Sequence, residues 1–255
     1  MRPLAILLVL FWALPLRAAA PDPAFHLYLL IGQSNMAGRG KLEEMDKQPH
    51  ARLLHFTKEN KWAPAVDPIH FDKPIAGVGL GRTFGLEMLK GRSDATLRIG
   101  LIPCAVGGTP ISRWQKGADL YEAALRRARA AMKEGVIQGV LWHQGESDSG
   151  KAETAQAYAK NLDAMIAALR KDLDQPTLPV IVGQLGEFYR EGANVTAVND
   201  ALQTLPKRVP HAAFIPSRGL GHKGDQVHFD APAYREFGRR YAAAMLQLQA
   251  PPAKK

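Results

Sequence analysis

Four short stretches of the chain carry side chains able to do chemistry, and each has an ordinary structural use as well. Ile31-Gly32-Gln33-Ser34-Asn35-Met36-Ala37-Gly38 places a serine two residues after a glycine at the end of an apolar run. A glycine there permits a tight turn that lifts the hydroxyl to the top of a sheet, where a nucleophile is needed; the same serine could equally be a helix cap. The fuller Gly-x-Ser-x-Gly elbow is absent, because Met36 stands where its second glycine would be. Cys104-Ala105-Val106-Gly107-Gly108-Thr109 offers two glycines whose N–H groups could serve an oxyanion, or could simply make a turn. Cys104 itself reads as a buried strand residue, and Trp114 downstream as a substrate platform or a core lid.

Trp142-His143-Gln144-Gly145-Glu146-Ser147-Asp148 crowds polar side chains at the end of an apolar run. Burying such groups without partners is costly, and a functional crevice explains that cost better than a plain loop does, although Ser147 or Asp148 could cap a helix. Gly224-Asp225-Gln226-Val227-His228-Phe229-Asp230 sets an aspartate three residues before a histidine. That spacing lets the carboxylate fix the ring tautomer, so that the far nitrogen can accept a serine proton. A rival reading takes His222, Asp225, His228 and Asp230 as metal ligands, but no matching His/Asp set lies at other strand ends. Four weak signals fall at one end of the predicted sheet, and unrelated turns and caps have no reason to supply a hydroxyl, amide donors, a carboxylate and an Asp-x-x-His together.

The elements that must bring these stretches together follow from periodicity. Short apolar runs at Phe25–Ile31, Leu53–Phe56, Leu97–Cys104, Ile137–His143, Pro179–Gln184 and Ala212–Ile215 read as strands. Helical patterns alternate with them at Gly81–Lys90, Asp119–Lys133, Glu153–Leu173, Asn194–Leu205 and Ala233–Leu248. Continuous apolar strands separated by helices predict a parallel sheet covered on both faces, a three-layer α/β/α sandwich whose ligands bind beyond the carboxyl ends of the strands. Lys41 to Gly77, with prolines at 49, 64, 68 and 74, is the most irregular region and is expected to form loops.

Composition narrows the classes further. The 255 residues carry 33 Lys+Arg, 24 Asp+Glu and one cysteine, which suits one globular domain over residues 21–250 and excludes a disulfide scaffold or a thiolate metal site. Met1 to Ala20 joins Arg2, an apolar run from Leu4 to Leu16 and the small residues Ala18-Ala19-Ala20, the pattern of a secretory signal peptide that is too short to span a bilayer. Its removal takes two arginines and leaves 31 basic against 24 acidic residues, or +7. A secreted or periplasmic protein with no stable membrane insertion is expected, with a frayed tail over 251–255. The basic residues Arg126, Arg127, Arg129 and Lys133 lie on a helical pattern without interleaved aromatics, a solvated face and not a nucleic-acid track. Gly77-x-Gly79-x-Gly81 is no dinucleotide fingerprint, since position 82 is arginine. Asn194-Val195-Thr196 matches a glycosylation acceptor, and nothing in the sequence fixes an oligomeric state.

Together the blocks Gly32-Gln33-Ser34-Asn35-Met36, Gly107-Gly108-Thr109, His143 to Asp148 and Asp225-Gln226-Val227-His228-Phe229 resemble the SGNH (GDSL-like) hydrolase superfamily. Within it they are similar to the sialate O-acetylesterase and acetylxylan esterase-like carbohydrate esterases, from about Leu27 to Tyr241. The resemblance implies a flavodoxin-like sandwich with Ser34 as nucleophile, His228 as general base and Asp225 as its partner. It implies oxyanion donors at Ser34 N, Gly108 N and a side-chain amide. Most of the superfamily takes that amide from an asparagine; here the block reads His143-Gln144-Gly145-Glu146, which nominates Gln144. Glu146 is the alternative acid supporting His228, unranked against Asp225. Gln33, Asn35 and Trp114 are the candidate substrate contacts. No cofactor and no metal is implied. The substrate is an acetyl ester on a sugar, of the sialic acid or xylan type, read by the loops Lys41–Gly77 and Glu187–Asn194. A non-catalytic carbohydrate-binding domain and a metal-dependent hydrolase are the competing readings.

Overall fold

The computed structural model describes residues 20–251. The proposed signal segment, apart from Ala20, and the tail beyond Pro251 lie outside the described residues. Seven strands form one sheet: β1 Asp22–Gly32, β2 Leu53–Phe56, β3 Trp62–Pro64, β4 Arg98–Pro103, β5 Gly135–His143, β6 Val180–Gly183 and β7 Ala212–Ile215, in the order β3-β2-β4-β1-β5-β6-β7. The helices are α1 Ser34–Ala37, α2 Leu80–Lys90, α3 Asp119–Ala131, α4 Ala152–Asp172, α5 Ala193–Gln203, α6 Leu205–Arg208 and α7 Ala231–Leu248. Two 3₁₀ turns, Glu44–Lys47 and Ile111–Trp114, complete the elements.

Strand β1 shows why the apolar runs are continuous. Phe25, Leu27, Leu29 and Ile31 point into a core shared with α3, α4 and α5, while Tyr28 and Leu30 point into a second core under α2 and α7. A strand alternates its side chains between faces, so a strand covered on both sides must be apolar at every position. The three-layer α/β/α architecture is therefore as expected, with β4-β1-β5-β6-β7 in flavodoxin-like order. The chain crosses from one side of β1 to the other between β4 and β5, and that crossing opens a crevice above their carboxyl ends.

One strand departs from the parallel sheet predicted. β3 pairs antiparallel with β2 at the sheet's edge, through Leu54–Pro64, His55–Ala63 and Phe56–Trp62. A short turn closed by Thr57 N–H to Lys61 O (2.8 Å), with Asn60 at φ 57°, leaves no length for a crossover, so the chain can only reverse. Pro64, which lacks a donor, is tolerated because the edge is free there. Likewise α5 stops at Gln203 instead of continuing to Leu205, and Pro206 sits in the first turn of α6, where its missing N–H costs nothing.

Candidate active site

The crevice over β1, β4 and β5 is an open cavity of about 330 Å³ walled by Gln33, Ser34, Gly107, Gly108, Glu146, Tyr189 and His228, with the exposed Lys73, Ile75 and Arg190 toward its mouth. Gly32 makes the serine's position possible. At φ 132° it lies so close to β5 that a Cβ would sit 2.2 Å from the His143 carbonyl oxygen. The next N–H, that of Gln33, donates to the same carbonyl at 2.9 Å. β1 and β5 thus end together, and Ser34 opens α1 beside the polar block that follows β5.

His228 arrives from the other end of the chain on a loop with a rigid internal frame. Asp225 Oδ1 accepts N–H groups from Val227 (3.0 Å) and His228 (2.9 Å), and Oδ2 lies 2.7 Å from His228 Nδ1. An ionised carboxylate can only accept, so Nδ1 carries the proton and Nε2 is left to accept from the Ser34 hydroxyl, 3.0 Å away. Partial burial pushes the Asp225 carboxyl up, but the His228 and Val227 N–H groups and the imidazole outweigh it and hold it well below the usual carboxylate range. Asp230 then caps α7, its Oδ1 accepting from Ala233 N at 2.8 Å, which anchors the loop to the helix. His222 Nδ1 accepts from Gly224 N (3.0 Å) and Gln226 N (3.3 Å), so His222, Asp225 and Asp230, three of the four residues weighed as metal ligands, shape this loop.

Glu146 does not touch His228. Its Oε1 accepts from Asn35 Nδ2 at 2.5 Å, and burial raises its carboxyl pKa. Asn35 in turn donates to Val227 O (2.9 Å) and accepts from Phe229 N (3.3 Å) and Tyr234 OH (2.7 Å). Of the two acids left open by the sequence, Asp225 meets the histidine directly, and Glu146 reaches its loop only through Asn35. Asn35 is 1% exposed with both ends of its amide engaged, so it braces the serine loop against the histidine loop and is no substrate contact. Behind Glu146, burial pushes His143 down to about 3, which keeps that ring neutral between Phe229 and Phe237.

Two further expectations are corrected. Gln144 is fully buried and does not wall the cavity. Its amide N–H groups face Asp148 Oδ2 (2.6 Å), Thr109 O (3.1 Å) and Gln33 Oε1 (3.2 Å), so none is free for an oxyanion. A side chain at a strand's end points to one face or the other, and this one points inward. Trp114, 1% exposed, packs edge-on against Trp142 at 5.7 Å and donates to Thr109 Oγ1 at 3.2 Å; it is core, not platform. Cys104 follows β4 as a structural thiol, pushed up to about 11 by burial.

The donors at Ser34 N and Gly108 N have no acceptor among the described residues, and Gly108, in a left-handed conformation at φ 78°, lines the cavity. Its loop is braced by a pair the sequence did not reveal. Asp72 Oδ2 accepts from Gly107 N (2.9 Å) and from Arg39 (2.6 Å), with both side chains buried. Arg39 directly follows the serine block and could have been suspected, but nothing marks Asp72, which comes from the irregular loop region. Lys73 and Arg190 on the rim were also missed; neither has an ion-pair partner among the described residues, and Arg190 stacks on Tyr189 at 5.6 Å.

Comparison with known proteins identifies a family and relatives of the chain. Residues 24–247 match the profile of the family described as "Carbohydrate esterase, sialic acid-specific acetylesterase". A probable carbohydrate esterase of Arabidopsis thaliana is 32% identical over 245 residues, covering 89% of this chain and 92% of that protein. Its X-ray structure superposes with a TM-score of 0.81, over 89% of this chain and 99% of that one. The fold is shared with NanS (TM-score 0.75, 19% identity, 90% and 98% covered) and with a carbohydrate acetylesterase from Xanthomonas citri (0.65, 19%, 87% and 56%). With an SGNH-type α/β sheet and a match spanning nearly the whole described chain, this protein belongs to the sialic acid-specific acetylesterase family of carbohydrate esterases.

Proposed function

We propose that the chain is an exported serine esterase that removes acetyl groups from sugars through an acetyl-serine intermediate. The observation that carries this reading is the unbroken line Asp225 Oδ2, His228, Ser34 Oγ, with contacts of 2.7 and 3.0 Å at the open end of the sheet. Ser34 Oγ attacks the acetyl carbonyl while His228 Nε2 takes its proton. The tetrahedral oxyanion rests on the N–H groups of Ser34 and Gly108. The intermediate collapses, the C–O bond to the sugar breaks, and the proton passes from His228 to the leaving alcohol. Water then repeats the sequence on the acetyl-enzyme, releasing acetate. No step calls on a cofactor.

Lys73 and Arg190 at the cavity mouth favour a negatively charged sugar, so an acetylated sialic acid suits the rim better than acetylated xylan. Export, to the periplasm or the outside, is supported by the pattern of Met1–Ala20, and among the described residues no helix is long and apolar enough to cross a membrane. The test is acetate release across a panel of acetylated sugars, with chelator added, alongside Ser34→Ala. Hydrolysis that resists the chelator and vanishes in Ser34→Ala is expected; turnover that survives in Ser34→Ala would overturn the serine mechanism.

A further inference from the structure

A carbonyl oxygen that becomes an oxyanion gains a third lone pair, and two backbone donors leave one position unfilled. We infer that the side-chain amide of Gln33 is the third oxyanion donor, and that Gln144 is the positioning residue that turns it toward the cavity. This rests on the esterase reading of Ser34. Gln33 walls the cavity beside Ser34 and Gly108, yet is only 3% exposed, so its amide has little freedom. Its Oε1 accepts from Gln144 Nε2 (3.2 Å) and from Ser147 N (3.4 Å), which places the carbonyl end inward. Gln144 cannot present its oxygen instead, because its NH₂ also faces the acceptors Thr109 O and Asp148 Oδ2. The Gln33 amide is planar, so its NH₂ points away from these partners, and no acceptor meets it among the described residues. Main-chain pinning of Gln33 N to His143 O completes the fixed geometry.

In the reaction, the bond from Ser34 Oγ to the acetyl carbon forms, the C=O π pair moves onto oxygen, and Gln33 donates a hydrogen bond without losing its proton. The pair returns when the bond to the leaving alcohol breaks. A preorganised donor of this kind acts on the transition state and hardly on the bound ester.

The experiment compares kcat and KM on an acetylated sugar and on p-nitrophenyl acetate. Gln33→Leu should lower kcat about 100-fold on both esters with KM within about twofold. Gln33→Glu keeps the inward oxygen but sets a carboxylate against the oxyanion, and should lose at least as much; it carries the test if Gln33→Leu does not fold. Gln144→Met should give a smaller loss with the same kcat signature, and combining it with Gln33→Leu should add nothing. A loss confined to the sugar ester with raised KM would make Gln33 a sugar contact and overturn the proposal, as would wild-type turnover in a folded Gln33→Leu. If Ser34→Ala stays active, the esterase reading itself falls. If Ser34→Ala is inert while Gln33→Leu is fully active, only the donor assignment falls.

Discussion

The floor and the rim of the cavity are built in opposite ways. On the floor, Ser34, Asn35, Glu146, Asp225 and His228 are tied by short hydrogen bonds into a frame that links the carboxyl end of β1, the loop after β5 and the loop before α7. At the rim, Lys73 and Arg190 stand exposed on loops, with no ion-pair partner among the described residues. Bond-making needs groups held within fractions of an ångström, whereas capture of a polar ring tolerates adjustable contacts. Substitutions at the floor should therefore act on turnover, and those at the rim on affinity.

Three substitutions beyond those at Ser34 and Gln33 test the contrast. The largest effect is expected at Asp225. Asp225→Asn removes the acceptor that fixes the His228 tautomer and should lower kcat on the order of 10³- to 10⁴-fold with KM little changed, by analogy with the serine-protease triad. Because the Asp225 carboxyl is held low, it stays ionised across the working range, and its protonation should leave no step in the kcat profile above pH 4. Next comes Arg190→Ala, expected to raise KM several-fold for a carboxylate-bearing acetyl sugar while leaving p-nitrophenyl acetate hydrolysis unaltered. A drop in kcat on both esters would erase the division between floor and rim.

The smallest effect should come from a group remote from the chemistry. Asp67 is buried beside Asp46, and burial first, then that neighbour, raises its carboxyl to about 8. The folded state therefore keeps a proton that the unfolded chain releases near pH 4, so this group's contribution falls as pH rises from about 4 to about 8. Asp67→Asn should gain stability over that window, on the order of 1–3 kcal/mol at its upper end, read from denaturant unfolding at several pH values. Activity per folded molecule should not change.

How far the sequence spoke for the structure follows the same division. β1 and β6 were legible because strands buried on both faces admit only apolar residues, and the order of the four polar blocks placed Ser34 and His228 at the same end. β3 was not, since three residues ending in proline carry too little pattern and the hairpin before it depends on one left-handed residue, Asn60. Residue type nominated Gln144 and Trp114 for the cavity, but a side chain's direction is settled by what packs around it, and both turned inward. Asp72 was invisible for the opposite reason: its neighbours in sequence are loop residues, and only tertiary structure brings it under Gly107.

Ser34 and His228, the nucleophile and base of the proposed mechanism, touch in the fold but stand 194 positions apart in the chain. Synthesis from the amino end therefore releases the serine and both backbone donors long before the imidazole exists. If His228 is the base, a chain that ends before it should be inert toward esters, and activity should appear only once the loop ahead of α7 has docked. On the proposed mechanism, hydrolysis waits until His228 has been made and its loop has docked beside Ser34.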